Sequence, residues 1–189
     1  MPHQNLKFSA LLAETTIIPV MVIKSRDRAV PMARDLLSRG YGVLEITLRT
    51  DCALDGVKDI IDQVPEAIVG VGTVTCGAQL RQAHGAGAAF AVSPGATDEL
   101  ITAAEGVPIP LLPGVATASE AMRLREKGYG FLKLFPAEAA GGRALLKSLY
   151  GPLPDLMFCP TGGIDAILAE EYLKLPNVIC VGGSWMVAT

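Results

Sequence analysis

Residues 43–49 read Val-Leu-Glu-Ile-Thr-Leu-Arg, a run in which every second side chain is Leu or Ile. Successive side chains on a strand point to opposite faces of its sheet. One face would therefore be wholly apolar and suited to contact helices, whereas the other would carry charged groups into the interior of a closed sheet. The apolar face comprises Leu44, Ile46 and Leu48, and the interior face comprises Val43, Glu45, Thr47 and Arg49.

Similar short apolar runs recur along the chain, each followed by a turn residue and a helical pattern. Short runs rich in Val, Ile, Leu or Phe are typical of buried parallel strands. They predict eight strands, at Ile17–Ile23, Val43–Leu48, Ala67–Val71, Ala88–Ser93, Ile109–Leu112, Gly130–Phe135, Leu156–Pro160 and Val178–Val181.

The segments between these runs carry helix signals. Asp27–Arg39 has one apolar side, and its Pro31 falls in the first turn, where proline is tolerated. Thr117–Glu120 reads as a capping box that opens a helix reaching Lys127. Thr75 is expected to cap a helix over Cys76–His84.

Strands that alternate with helices predict an α/β fold with a parallel sheet and right-handed crossovers. Eight such strands close naturally into a (β/α)8 TIM barrel, and residues 1–189 suit a single domain. A helix over about Leu6–Glu14 would precede the first strand and cover the barrel floor. Since the chain ends at Thr189, soon after the eighth run, a final helix is expected to be missing, through truncation or natural brevity.

Composition narrows the function classes. The net charge of −3 and the lack of a basic stripe argue against nucleic-acid binding. No apolar stretch reaches the roughly 18 residues of a membrane span, and the N-terminus has no signal-like block. Four cysteines without CxxC spacing and only two histidines argue against a zinc site. Cys159 and Cys180 are interpreted as buried structural thiols, and a cytoplasmic location is expected.

Two strands carry charges in positions that favour catalysis. Glu45 lies mid-strand, and Arg49 lies at the carboxyl end, where barrel active sites are built. Lys133 stands alone in Gly130–Phe135, on the same face as Phe131. Burial disfavours the charged ammonium, so a neutral amine would be available to attack a ketone. The alternatives are a Glu45–Arg49 ion pair that only fills the interior, and a lysine that pairs with Glu45 or extends to the rim.

The loops that would follow strands seven and eight are rich in glycine. They read Cys159-Pro-Thr-Gly-Gly163 and Val181-Gly-Gly-Ser184, and many barrels bind a phosphate at this position. Thr73 offers a hydroxyl at the end of strand three. Ser93-Pro-Gly95 and Pro113-Gly114 are interpreted as plain turns, and His84 as a solvated residue near a helix end.

Several of these segments together resemble the 2-keto-3-deoxy-6-phosphogluconate (KDPG) aldolases, which also act on 4-hydroxy-2-oxoglutarate (KHG). The resemblance runs in register from about residue 10 to Trp185. It is carried by VLEITLRT (43–50), VGVGTV (69–74), SPG (93–95), LLPGVAT (111–117), FLKLFPAE (131–138), FCPTGGI (158–164) and VGGSW (181–185).

The resemblance implies a class I aldolase of the Entner–Doudoroff pathway, a homotrimer without cofactor or metal. Lys133 matches the Schiff-base lysine and Glu45 the general acid and base. Arg49 and Thr73 match residues that hold the pyruvate carboxylate, and Thr161 a position linked to substrate stereochemistry. The further substrate-binding residues that it implies are Pro94, Phe135, Gly162, Gly163 and Ser184, the last three for the phosphate.

Other functions remain open at this point. A related aldolase could act on the galactonate epimer, although Thr161 favours the gluconate-derived substrate. A sugar-phosphate epimerase or isomerase would use the same loops without a buried lysine. A metal-dependent aldolase would lose activity with a chelator, and a catalytically silent barrel would bind an anion without turnover.

Overall fold

The computed structural model describes residues 8–11 and 15–187, and strands and helices alternate along them. The strands are β1 (Ile17–Met21), β2 (Val43–Thr47), β3 (Ile68–Gly72), β4 (Phe90–Val92), β5 (Leu111–Leu112), β6 (Gly114–Val115), β7 (Phe131–Leu134), β8 (Met157–Pro160) and β9 (Val181–Gly183). The helices are α1 (Ala29–Ser38), α2 (Ala53–Gln63), α3 (Gly77–Gly85), α4 (Asp98–Glu105), α5 (Ala118–Glu126), α6 (Gly142–Tyr150) and α7 (Ala166–Leu173). A short 3-10 helix, Arg26–Arg28, leads into α1.

The strands form two parallel sheets. One has the order β5-β4-β3-β2-β1-β9, and the other has the order β6-β7-β8. Pro113 alone separates β5 from β6, so extended chain continues beyond Leu112, the end of the fifth predicted strand, after an interruption at this proline. Proline has no N–H to donate to a neighbouring strand. Isolated bridges at Phe158–Val178 and Thr161–Gly182 link the two sheets on the other side. The α/β class and the parallel pairing are confirmed.

The prediction for the eighth strand was wrong in position. It was placed at Val178–Val181, but β9 comprises Val181–Gly183 and pairs with the start of β1, Ile17 opposite Val181. The Val181 N–H donates to the Thr16 carbonyl over 2.8 Å. The predicted apolar run ends at Val181, where β9 begins. Hydrogen-bond pairing with β1, and not local hydrophobicity, therefore determines the position of this strand. Gly182 and Gly183 are therefore strand residues and not loop residues.

Helix starts were predicted with mixed success. Thr117 and Glu120 form the predicted capping box at the start of α5. The predicted cap at Thr75 was wrong, because α3 begins at Gly77 after Cys76 and no side chain caps it. The Thr75 N–H and hydroxyl instead contact the Gln79 side-chain oxygen at 2.7 and 3.0 Å.

The two faces of the strands build two apolar clusters. Leu44 and Ile46 belong to the larger one, with residues of the surrounding helices, as alternation in β2 predicted. The smaller cluster contains Phe8, Ile18, Val43, Phe90, Val92, Leu112, Cys159 and Cys180. Burying a side chain such as Phe8 is worth about 1.5–3 kcal/mol.

Phe8 covers the amino ends of the strands. Residues 8–11 are helical, and the Phe8 ring lies 6.2 Å from that of Phe90 and 6.5 Å from that of Phe131, between ring centroids. Both partners are the first residues of their strands, so this end lies opposite the carboxyl ends. The remainder of the helix predicted over 6–14, and any final helix after β9, fall outside the described residues.

Candidate functional site

The predicted site residues gather at the carboxyl ends of the strands. Glu45 and Lys133 lie within β2 and β7. The others follow a strand by one to three residues: Arg49 after β2, Thr73 after β3, Pro94 after β4, Phe135 after β7, Thr161, Gly162 and Gly163 after β8, and Ser184 after β9. Because the strands are parallel, these residues share one edge of the sheets.

Lys133 and Glu45 form a buried ion pair at the centre of this edge. The Lys133 Nζ lies 3.2 Å from the Glu45 Oε1, and the two residues are only 5% and 4% exposed. The ammonium also lies 5.3 Å from the centroid of the Phe135 ring. Removing two charges from water is costly, and a pair of this kind adds little net stability. A buried amine beside a carboxylate is instead equipped for proton transfer and nucleophilic attack.

Two glycines of β3 make room for neighbouring side chains, and one of these is Glu45. A Cβ on Gly72 would lie 2.1 Å from the Glu45 Oε1, and one on Gly70 would lie 2.2 Å from the Phe90 ring. Real side-chain atoms do not approach so closely, so each glycine is required by a neighbour. Gly72 thus sets the place of the Glu45 carboxylate, which β2 alone does not fix.

Arg49 contacts Thr73 and not Glu45. Its Nε donates to the Thr73 Oγ1 over 3.1 Å, and the side chain is exposed. The Glu45–Arg49 ion pair considered from the sequence is therefore not formed. Thr73 has a φ of 59°, a conformation that few residues other than glycine adopt. Backbone strain of this kind is often retained at functional sites.

The turn at Ser93–Gly95 does more than reverse the chain. Ser93 is fully buried, and its Oγ accepts a hydrogen bond from the Gly114 N–H at 3.4 Å. A Cβ on Gly114 would lie 2.4 Å from the Pro94 carbonyl oxygen, so β6 and this turn touch at the backbone. Half-buried Pro94 is held at the edge by this contact.

The glycines after β8 and within β9 serve different purposes. Gly162 and Gly163 have φ values of +105° and +78°, so the loop depends on glycine for its shape. A Cβ on Gly182 would lie 2.4 Å from the Thr161 Oγ1, which explains how Thr161 is buried. Ser184 is exposed directly beyond β9. The loop N–H groups and the serine hydroxyl are the kinds of donor that anions bind.

One feature of the site was not anticipated from the sequence. A cavity of about 360 Å³ borders Ser184, and Val20, Lys24 and Arg28 also line it. Val20 lies opposite Glu45 in the pairing of β1 with β2. The alternation Val20, Val22, Lys24 could have indicated it.

Cys159 and Cys180 are both buried, as predicted, and interact with each other. A hydrogen bond from the Cys180 thiol lowers the pKa of the Cys159 thiol and raises the pKa of the Cys180 thiol.

Within residues 8–11 and 15–187, no cluster of three or more His, Cys, Asp or Glu side chains could hold a metal ion. In the same part of the chain, no helix has both the length and the apolar character needed to cross a membrane.

The chain is similar to known proteins over nearly its whole length. The family model described as KDPG and KHG aldolase matches residues 8–189. The chain is 49% identical over 185 residues to a 2-dehydro-3-deoxy-phosphogluconate aldolase of Pseudoalteromonas atlantica, covering 97% of this chain and 86% of that protein. It is 48% identical over 186 residues to the KHG/KDPG aldolase of Escherichia coli K12, covering 97% and 87%.

A solved structure agrees with these sequence relatives. The KDPG aldolase of Legionella pneumophila superposes with a TM-score of 0.91 at 48% identity, over 94% of this chain and 86% of the other. That crystal structure holds pyruvate captured at low pH as a covalent carbinolamine intermediate.

Proposed function

The chain belongs to the KDPG and KHG aldolase family and is an aldolase, a carbon–carbon lyase, and on that premise we propose that Lys133 forms its Schiff base and Glu45 moves its protons. The substrates are KDPG, cleaved to pyruvate and glyceraldehyde 3-phosphate, and KHG, cleaved to pyruvate and glyoxylate. The single observation that carries the residue assignment is the buried contact of 3.2 Å between Lys133 and Glu45.

Covalent attachment begins at the ketone. The neutral Lys133 amine attacks C2 and forms a C–N bond, while the carbonyl oxygen gains a proton from Glu45. The nitrogen then returns its extra proton to Glu45, which leaves a neutral carbinolamine. Loss of water, again with a proton from Glu45, leaves a cationic imine. The geometry supports this sequence, because the Glu45 carboxylate lies 3.2 Å from the Lys133 Nζ and can accept the proton that leaves it.

Cleavage then uses the imine as an electron sink. Glu45 takes the proton of the C4 hydroxyl through a water molecule, the C3–C4 bond breaks, and its electron pair forms an enamine. The aldehyde leaves, C3 gains a proton, and hydrolysis of the imine releases pyruvate and restores Lys133. These steps need only Lys133, Glu45, water and the substrate.

Two groups of residues position the substrate, one at each of its ends. Arg49 and Thr73 would hold the carboxylate, with Pro94 and Phe135 beside it, and the guanidinium can donate two parallel hydrogen bonds. Thr161, Gly162, Gly163 and Ser184 would hold the distant part of the substrate, including the phosphate. Binding a non-reacting phosphate helps to place the reacting carbons.

We also propose the complete fold, the oligomeric state and the cellular location of the enzyme. The two sheets, separated only by Pro113 and bridged at Thr161–Gly182, support one (β/α)8 barrel in a single domain. The family resemblance supports a homotrimer, and four free cysteines support the reducing cytoplasm.

Cleavage of KDPG by the purified protein tests the function directly. We expect pyruvate, measured by coupling to lactate dehydrogenase and NADH, at a turnover in the usual range of roughly 1–10³ per second. The galactonate epimer, assayed beside it, should react more slowly because Thr161 occupies the position linked to stereochemistry. Faster cleavage of the galactonate epimer would reverse the substrate assignment. A folded protein that releases no pyruvate from either compound would favour an epimerase or isomerase.

Gly72→Ala should lower kcat by about tenfold or more, because the new Cβ displaces the Glu45 carboxylate from Lys133. Overpacking of this kind also costs about 1–3 kcal/mol of stability. The measurement is KDPG cleavage together with the thermal midpoint. Gly42→Ala is the matched control, since its Cβ would meet nothing within 4 Å. Equal activity of the two variants would show that the position of Glu45 does not limit turnover.

A further inference from the structure

A buried tyrosine outside the predicted site is bonded to the turn that follows the Lys133 strand. Tyr172 lies in α7 and is fully buried, and its hydroxyl donates to the Glu138 Oε1. Burial, and then the hydrogen bond to Glu138, raise the pKa of the Tyr172 hydroxyl, which therefore remains a donor. Glu138 is five residues beyond Lys133, within the turn at 135–141.

The same turn is fastened to the loop after β8. The Ala137 N–H donates to the Thr161 carbonyl over 2.8 Å, and the Glu138 N–H donates to the Gly162 carbonyl over 3.2 Å. A Cβ on Gly163 would lie 2.9 Å from the Glu138 Cβ. The Glu138 side chain therefore packs directly on the loop that carries Gly162 and Gly163.

The start of α6 also lies close to the Glu138 carboxylate. A Cβ on Gly142 would lie 2.9 Å from the Glu138 Oε1 and 3.0 Å from the Tyr172 Oη. Glycine at this position leaves room for the hydrogen bond between the two side chains. Three chain segments therefore meet at one contact: the turn after β7, the start of α6, and the helix that follows the 161–163 loop.

We propose that Tyr172 is a positioning residue, whose hydroxyl holds Glu138 and thereby fixes the 161–163 loop for the phosphate of the substrate. This inference rests on the proposed function. Hydrogen-bond donors that a rigid loop already holds in place bind an anion without the entropic cost of ordering the loop. Loss of the hydroxyl should therefore weaken use of a phosphorylated substrate and spare one that does not have a phosphate.

Tyr172→Phe removes only the hydroxyl and tests this role. We expect kcat/KM for KDPG to fall about 10- to 150-fold, the range that loss of a hydrogen bond to a charged group produces. For unphosphorylated KHG, kcat/KM should stay within about twofold, as should trapping of pyruvate on Lys133. Tyr150→Phe, at the exposed end of α6, is the matched control and should alter neither substrate.

Variants of exposed Glu138 keep the test decisive if Tyr172→Phe does not fold. Glu138→Ala should reproduce the KDPG-selective loss, whereas Glu138→Gln retains an oxygen acceptor and should recover most of the activity. The double variant Tyr172→Phe/Glu138→Ala should be no worse than either single change. Equal losses for KDPG and KHG, or no loss for KDPG, would overturn the inference. If the wild type cleaves neither substrate, the proposed function itself fails.

Discussion

Pyruvate followed by borohydride should leave one reduced pyruvate on each wild-type chain and none on Lys133→Ala. Borohydride reduces the imine to a stable amine, so the intact mass records the Schiff base directly. The same substitution should lower KDPG cleavage on the order of 10⁴-fold or more, because the amine that forms the covalent intermediate is lost. Intact mass spectrometry and the pyruvate assay measure the two effects.

The control for this experiment must separate chemistry from folding. Lys133→Ala leaves the buried Glu45 without its cation, which can cost about 3–5 kcal/mol. Lys133→Arg keeps a positive charge but cannot form an imine, so it should also remain unlabelled while circular dichroism reports a folded chain. Lys147→Ala, exposed on α6, should label like the wild type. An adduct on folded Lys133→Arg would show that another lysine forms the Schiff base.

Glu45→Gln should lower kcat for KDPG by about 10²- to 10⁴-fold, the usual contribution of a positioned acid and base. The amide has nearly the same shape as the carboxylate but cannot exchange protons with the carbinolamine or the C4 hydroxyl. Lys133 should still be labelled by pyruvate and borohydride, but more slowly, because the amide cannot supply the protons that carbinolamine formation and loss of water require. Steady-state rates and the time course of labelling measure both outcomes.

Two further variants show whether the proton-transfer role belongs to Glu45. Glu66→Gln, on the exposed surface, should leave both rates unchanged. Glu45→Asp retains a carboxylate on a shorter side chain and should recover part of the lost activity. If Glu45→Gln turned over KDPG within twofold of the wild type, another group or water would be the acid and base. Complete loss of labelling would instead show that Glu45 is needed to form the imine.

Local patterns were enough to locate most elements and their faces. Alternation in 43–49 placed Leu44 and Ile46 toward the helices and Glu45 in the interior, as the structure has them. The capping box at Thr117 was read correctly because its hydrogen bonds join residues only three apart. The strand β9 was misplaced because Gly182 and Gly183 resemble a turn. Their pairing partner is β1, more than 160 residues earlier.

The sequence by itself determined the alternation of strands and helices, the interior positions of Glu45 and Lys133, and the family. Each follows from spacing within a few residues or from motifs that stay in register. Only the tertiary structure decided that Glu45 pairs with Lys133 instead of Arg49, that Gly72 makes room for the carboxylate, and that Tyr172 reaches Glu138. These contacts join residues that are 88, 27 and 34 positions apart. Their partners are chosen by the parallel register of the strands and by side-chain volume in a close-packed interior, which no local pattern encodes.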